Sequence, residues 1–123
     1  MIWLNVIDIG RDIVKIHNKH NTGQQKVFVD IDETICFYNG DRIYENAIPS
    51  KENIDKINKL YDEGWEVTYW TARGGFTGVD YYDLTKKQIN EWGCKYHDLQ
   101  VGNKPPYDLL ICDKTKRIEE IWF

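Results

Sequence analysis

The 123-residue chain is short of the features that would place it quickly. It has only three cysteines, Cys36, Cys94 and Cys112, with no C-x-x-C spacing and no even count. A disulfide framework is therefore excluded, and reduced, partly buried thiols in a cytoplasmic protein are expected. No apolar run approaches the roughly 18 residues of a membrane span, so no membrane partner is expected. Met1 to Ile16 is apolar-rich, but Asp8, Arg11 and Asp12 interrupt it, and it does not read as a signal peptide. There is no block of basic residues, and 16 Lys and Arg stand against 20 Asp and Glu, for a net charge of −4. That balance makes a broad nucleic-acid surface the less favoured reading. G-x-x-x-x-G-K-[ST] is missing, which leaves the glycines at 74, 75 and 78 as a mobile loop rather than a phosphate cradle.

What is present reads as one folded domain. Hydrophobic content of 41% and aromatic content of 14% suit a globule, and the length allows one modest core. Residues 1–25 form an N-terminal extension, a hairpin or a helix, followed by the polar run "NKHNTGQQ". His17 and His20 in this extension read as solvated loop residues. The organised domain spans residues 26–123. "KVFVDI" is a short, continuously apolar strand of the kind covered on both faces in a parallel sheet. After it, Asn39-Gly40 between two strand-prone runs predicts a small hairpin flap.

"PSKENIDKINKLYDEG" predicts a helix with Ser50 as N-cap, an apolar stripe at Ile54, Ile57, Leu60 and Tyr61, and Gly64 as its stop. "WEVTYW" predicts a second buried strand ending at Thr71, and Val79 to Trp92 a second helix closed by Gly93. A short strand near Tyr96 to Val101, a further strand in "YDLLICD" and a terminal helix or strand complete the chain. Strands alternating with helices predict a three-layer α/β/α, Rossmann-like parallel sheet.

In open α/β sheets, ligands bind beyond the carboxyl ends of the strands. Asp30, Asp32 and Thr34 follow the first predicted strand, and Thr71 and Arg73 follow the second. Lys104 precedes the last strand and Asp113 follows it. Taken singly, each would read as a surface turn residue. Residues two apart on an extended segment face the same way, so Asp30 and Asp32 can share one space. Two carboxylates that close need a cation or a proton between them. Mg²⁺, a hard cation with oxygen ligands, is the usual partner where phosphate also binds.

"VFVDIDETI" resembles motif I, D-x-D-x-[TV]-[LI], of the haloacid dehalogenase-like (HAD) phosphohydrolases. "VTYWTARGG" is similar to motif II, and "GNKPPYDLLICDK" to motifs III and IV, in the family's order and from Lys26 to about Ile118. The resemblance implies that Asp30 attacks phosphorus to form an aspartyl-phosphate. Asp32 would protonate the leaving oxygen and then activate water, while Thr71 and Lys104 hold the phosphoryl oxygens.

It also implies Mg²⁺ bound by the Asp30 side chain, the Asp32 carbonyl and a motif IV acid. Relatives often carry two adjacent acids where this chain has Cys112-Asp113, and a thiol is a poor Mg²⁺ ligand, so the role falls to Asp113. Thr71-Ala72-Arg73 is similar to the Ser-Gly-Arg of polynucleotide kinase-phosphatases, which gives Arg73 a place at the phosphate. The short connections imply a member without a cap domain. Such an open site takes a large substrate or a lid from a neighbouring subunit, so a homo-oligomer is one expectation.

The expected function is a Mg²⁺-dependent phosphomonoesterase acting on a small phosphorylated metabolite such as a sugar phosphate. A polynucleotide 3′-phosphatase is the second reading. A non-catalytic domain that keeps the fold for binding or regulation is the third.

Overall fold

A computed structural model describes residues 25–123, apart from Pro106 and Trp122. The expectations for residues 1–24, including the hairpin or helix and the two histidines, lie outside the described residues. The described residues form a mixed α/β structure built on a three-stranded parallel sheet and two helices. Strand β1 (Lys26–Asp30) leads into a two-stranded flap, β2 (Cys36–Phe37) and β3 (Ile48–Pro49). Helix α1 (Lys51–Asp62), β4 (Glu66–Thr71), α2 (Tyr82–Glu91) and β5 (Asp98–Val101) follow, and a single turn of 3-10 helix at Ile118–Glu120 comes last. Among the described residues no helix is long and apolar enough to cross a membrane.

The sheet order is β1-β4-β5, with Asp30 beside Trp70 and Thr71 beside Val101 at the carboxyl ends. Parallel crossovers are right-handed, and this order advances in one direction, so both helices fall on the same face of the sheet. The buried residues agree. Ile54, Ile57 and Leu60 of α1 and Ile89 of α2 share one core with Val29, Val67, Tyr69 and Leu99. On the other face, Phe28 is half exposed and meets Trp70 edge-on, with ring centroids 5.5 Å apart. The described residues therefore give two layers instead of the expected three.

The last part of the chain departs from the expectation. "YDLLICD" was expected to form a further strand, but no strand forms there, and Leu109 and Ile111 are 75% and 87% exposed. Strand preference measures packing against neighbouring strands, and an apolar run with no neighbour does not hold an extended ladder. The terminal segment instead places Ile118 in the core and its carbonyl under Lys56 Nζ, 3.2 Å away. The flap also differs in detail. Cys36 and Phe37 pair with Pro49 and Ile48, so the turn at Asn39-Gly40 lies inside a ten-residue connection and does not close the hairpin.

Helix α1 forms as its sequence requires. Ser50 is extended and accepts a hydrogen bond from the Asn53 amide at 3.3 Å, and its stripe of Ile54, Ile57 and Leu60 is buried. Asn53 Nδ2 also donates to the Thr34 carbonyl at 2.9 Å, and the Ser50 amide donates to the Ile35 carbonyl at 2.8 Å. The start of α1 is thus tied to the turn that leaves β1. Ser50→Ala is expected to lower the unfolding free energy by about 1 kcal/mol, and Ser50→Gly by only a few tenths, in urea titrations.

Candidate active site

Strand β1 delivers Asp30 and then turns at once. The Ile35 amide donates to the Ile31 carbonyl at 2.9 Å, and the Glu33 amide to the Cys36 carbonyl at 2.9 Å. Glu33 holds φ = 65° to make this turn, a left-handed conformation that costs an ordinary residue about 1–2 kcal/mol. The turn lays Cys36 and the flap against Asp32. Both carboxylates line one open cavity of about 450 Å³ at the carboxyl ends of the strands, together with Thr71, Arg73 and Lys104. Five of the six residues expected at the site are brought together.

Asp113 is the exception. It is exposed, bonded only to its neighbour Cys112 among the described residues, and absent from the cavity wall. Its place there depended on a strand ending at Cys112, and that strand does not form. Asp108, which heads the same segment, lines the cavity instead.

The crowding of the two aspartates is resolved by two separate cations. Lys104, itself buried, reaches Asp30 Oδ1 at 2.9 Å, and the Ile31 amide donates to the same oxygen at 3.0 Å. Lys104 Nζ also lies 5.5 Å from the centre of the Trp70 ring and 5.1 Å from that of Tyr107. Asp30 keeps 43% of its side chain exposed to the cavity.

Asp32 is held quite differently. Arg73 Nε donates to Oδ2 at 3.0 Å and Nη2 to Oδ1 at 2.8 Å, a two-pronged pair with the Arg73 side chain fully buried. The Tyr38 hydroxyl and, at 3.5 Å, the Cys36 thiol also donate to Oδ1. Burial opposes ionisation of Asp32, but the hydrogen bonds and charge of Arg73 outweigh it and hold the carboxyl below its ordinary value. The same group reads out on its neighbours: burial, then the Asp32 charge, pushes the Cys36 thiol up to about 12. Burial and the Asp32 bond raise the Tyr38 phenol as well.

Helix α2 completes the surroundings of Arg73. Nη1 donates to Thr85 Oγ1 at 3.1 Å and to Gln88 Oε1 at 2.6 Å, while Gln88 Nε2 donates to the Tyr44 carbonyl at 2.6 Å. The Tyr44 ring lies 4.7 Å from the guanidinium carbon. Tyr38, Tyr44, Thr85 and Gln88 were not singled out in the sequence. Thr85 and Gln88 carried a usable signal, since they lie one turn apart beside Ile89, where the apolar stripe of α2 should continue.

No protein-family model matches the chain, and no curated protein matches it. It is similar in fold to a target protein from Vibrio cholerae seen in a crystal structure. The two share 21% identity at a TM-score of 0.70, over 80% of this chain and 87% of that one. At that identity the likeness shows the fold alone.

The glycines of the loop after Thr71 serve close packing. A Cβ at Gly74, where φ is 78°, would lie 1.9 Å from the Val79 carbonyl oxygen, and one at Gly75 would lie 2.7 Å from that of Gly102. The loop leaves Phe76 93% exposed at the cavity mouth.

Removing one member of a buried ion pair strands the other, so Arg73→Met is expected to destabilise the fold by about 3–5 kcal/mol. The double variant Asp32→Asn/Arg73→Met should lose clearly less than the sum of the single losses in urea unfolding. Because Asp32 is depressed in the folded state, its contribution is present above its ordinary value of 3.8 and is lost as pH falls through the lower folded value. The stability gap between the natural protein and Asp32→Asn should therefore hold from pH 7 to about pH 4 and close below it, with Arg73 charged throughout.

Proposed function

We propose that the chain is a HAD-like, Mg²⁺-dependent phosphomonoesterase acting on a small phosphorylated metabolite such as a sugar phosphate. The observation that carries this reading is the cavity at the strand ends, in which an accessible Asp30 carboxylate stands beside the cationic Lys104 and the buried Asp32. Asp30, exposed to the cavity at the end of β1, is open to attack phosphorus and form an aspartyl-phosphate. Lys104 has three donors and spends one on Asp30, so it can turn the others to phosphoryl oxygens. Thr71 accepts the Arg73 amide at 3.2 Å and has its hydroxyl proton left for the phosphate. Asp32, held as a carboxylate, is set up to relay protons between solvent and the site, taking one from water as the acyl phosphate is hydrolysed and passing one to the leaving oxygen.

The donor set suits Mg²⁺, which typically uses one or two carboxylates plus substrate phosphate and keeps several waters. Asp30 and the Asp32 carbonyl would hold it, and it would supply charge neutralisation at the phosphoryl group. Charge counting supports the reading. The cavity wall carries Asp30, Asp32 and Asp108 against Arg42, Arg73 and Lys104, so it is formally neutral. A divalent cation entering with a phosphate dianion would keep that balance.

One observation favours a second reading, a non-catalytic binding domain. Among the described residues no group of three His, Cys, Asp or Glu side chains converges to hold a metal. The two readings part in one assay. Hydrolysis of an aryl phosphate should require Mg²⁺ and fall by about 10³-fold or more in Asp30→Asn, as loss of a nucleophile does. Metal-independent turnover, or an active Asp30→Asn protein, would sink the phosphatase reading.

A further inference from the structure

We infer that Arg73, together with Tyr38 of the flap, is a positioning residue that aims Asp32 and does not itself bind the phosphoryl group. This rests on the phosphatase reading above and departs from the phosphate role expected of Arg73.

A guanidinium has five N–H donors and no acceptor. All five are used within the protein. Nε and one Nη2 proton go to the two oxygens of Asp32, and the other Nη2 proton goes to the Tyr38 hydroxyl at 3.3 Å. The two Nη1 protons go to Thr85 and Gln88. With its side chain 0% exposed, Arg73 could reach a phosphate oxygen only by abandoning a buried acceptor, which would then go unsatisfied. Lys104 on the same cavity has spare donors and faces no such conflict.

The same bonds decide how Asp32 acts. A carboxylate offers about four acceptor positions, two on each oxygen. Oδ1 is filled by Arg73 Nη2 and Tyr38, with the Cys36 thiol adding a longer contact. Oδ2 holds only Arg73 Nε among the described residues and keeps one position open. Oδ2 is thus the atom through which Asp32 exchanges a proton with water or leaving group. Rotation of the carboxylate is blocked on one side by the rigid fork and on the other by a flap tyrosine. Gln88 secures the flap in turn, since its amide accepts from Arg73 and donates to the Tyr44 carbonyl.

The test compares turnover with phosphate affinity in Arg73→Lys, Tyr38→Phe and Lys104→Met, each first shown to be folded by circular dichroism. Affinity is measured by titration calorimetry with inorganic phosphate, Mg²⁺ being supplied. Arg73→Lys and Tyr38→Phe should lower kcat about tenfold or more while KM and the phosphate Kd stay within about threefold. Lys104→Met should raise the phosphate Kd about tenfold or more. A tenfold weaker phosphate Kd in Arg73→Lys would overturn the inference, as would a natural kcat in folded Tyr38→Phe. Should Arg73→Lys not fold, the kcat and phosphate Kd of Tyr38→Phe decide between the two outcomes. Absent turnover in the natural protein would defeat the phosphatase reading, and the phosphate Kd of Arg73→Lys would still decide whether Arg73 is a ligand.

Discussion

The buried pair of Asp32 and Arg73 is the constraint on which the rest of the site depends. Neither charge is tolerable at that depth alone, and their attraction offsets desolvation only if every remaining donor and acceptor is also met. Meeting that condition recruits four parts of the chain. Asp32 comes from the turn after β1 and Arg73 from the loop after β4, while Tyr38 and Tyr44 belong to the flap and Thr85 and Gln88 to α2. Residues distant in sequence are thereby held in one arrangement. The open cavity lies against that arrangement, with Asp30 on its wall.

The second pair has a different character. Asp30 and Lys104 meet at 2.9 Å, but Asp30 remains 43% exposed and Lys104 lies among aromatic rings instead of a closed net of acceptors. Lys104 keeps donors to spare, so its ammonium can turn toward another oxygen without stranding a net of acceptors. The site therefore holds one carboxylate fixed and leaves the other adjustable. That division suits a carboxylate that must keep one proton position and another that must approach a phosphorus atom.

How much of this could be read in the sequence differs from element to element. Helix α1 was legible from its cap, its stripe and Gly64, because helix signals are local. Asp30 and Asp32 were legible for the same reason, since the apolar strand and the spacing of two lie within seven residues of each other. The pairing of Asp32 with Arg73, 41 positions apart, was not, because a carboxylate and a guanidinium in sequence do not announce which partner each will take. Thr85 and Gln88 could have been found as polar residues on the inner face of α2. "YDLLICD" misled because an apolar run reports a wish for burial, and whether a neighbouring strand satisfies it is decided elsewhere in the chain. The placement of Asp113 failed with it.

The two ion pairs also bear on why the chain would crowd aspartates at the end of its most apolar strand. If the carboxylates needed only to be neutralised, Lys104 and Arg73 would suffice, and no further cation would be called for. What the arrangement provides beyond neutrality is a difference between the two. Arg73 and Tyr38 leave one acceptor position of Asp32 open, whereas Asp30 stays open to the cavity. A purely structural turn gains nothing from that asymmetry and would be simpler with asparagine or serine at either position. A site that must bring one carboxylate to an electrophile and keep another aimed at a proton needs it. Arg73 is then best understood as part of the scaffold of Asp32, and on the proposed reading the affinity of the cavity for an anion would fall to Lys104, Thr71 and the cation that accompanies the substrate.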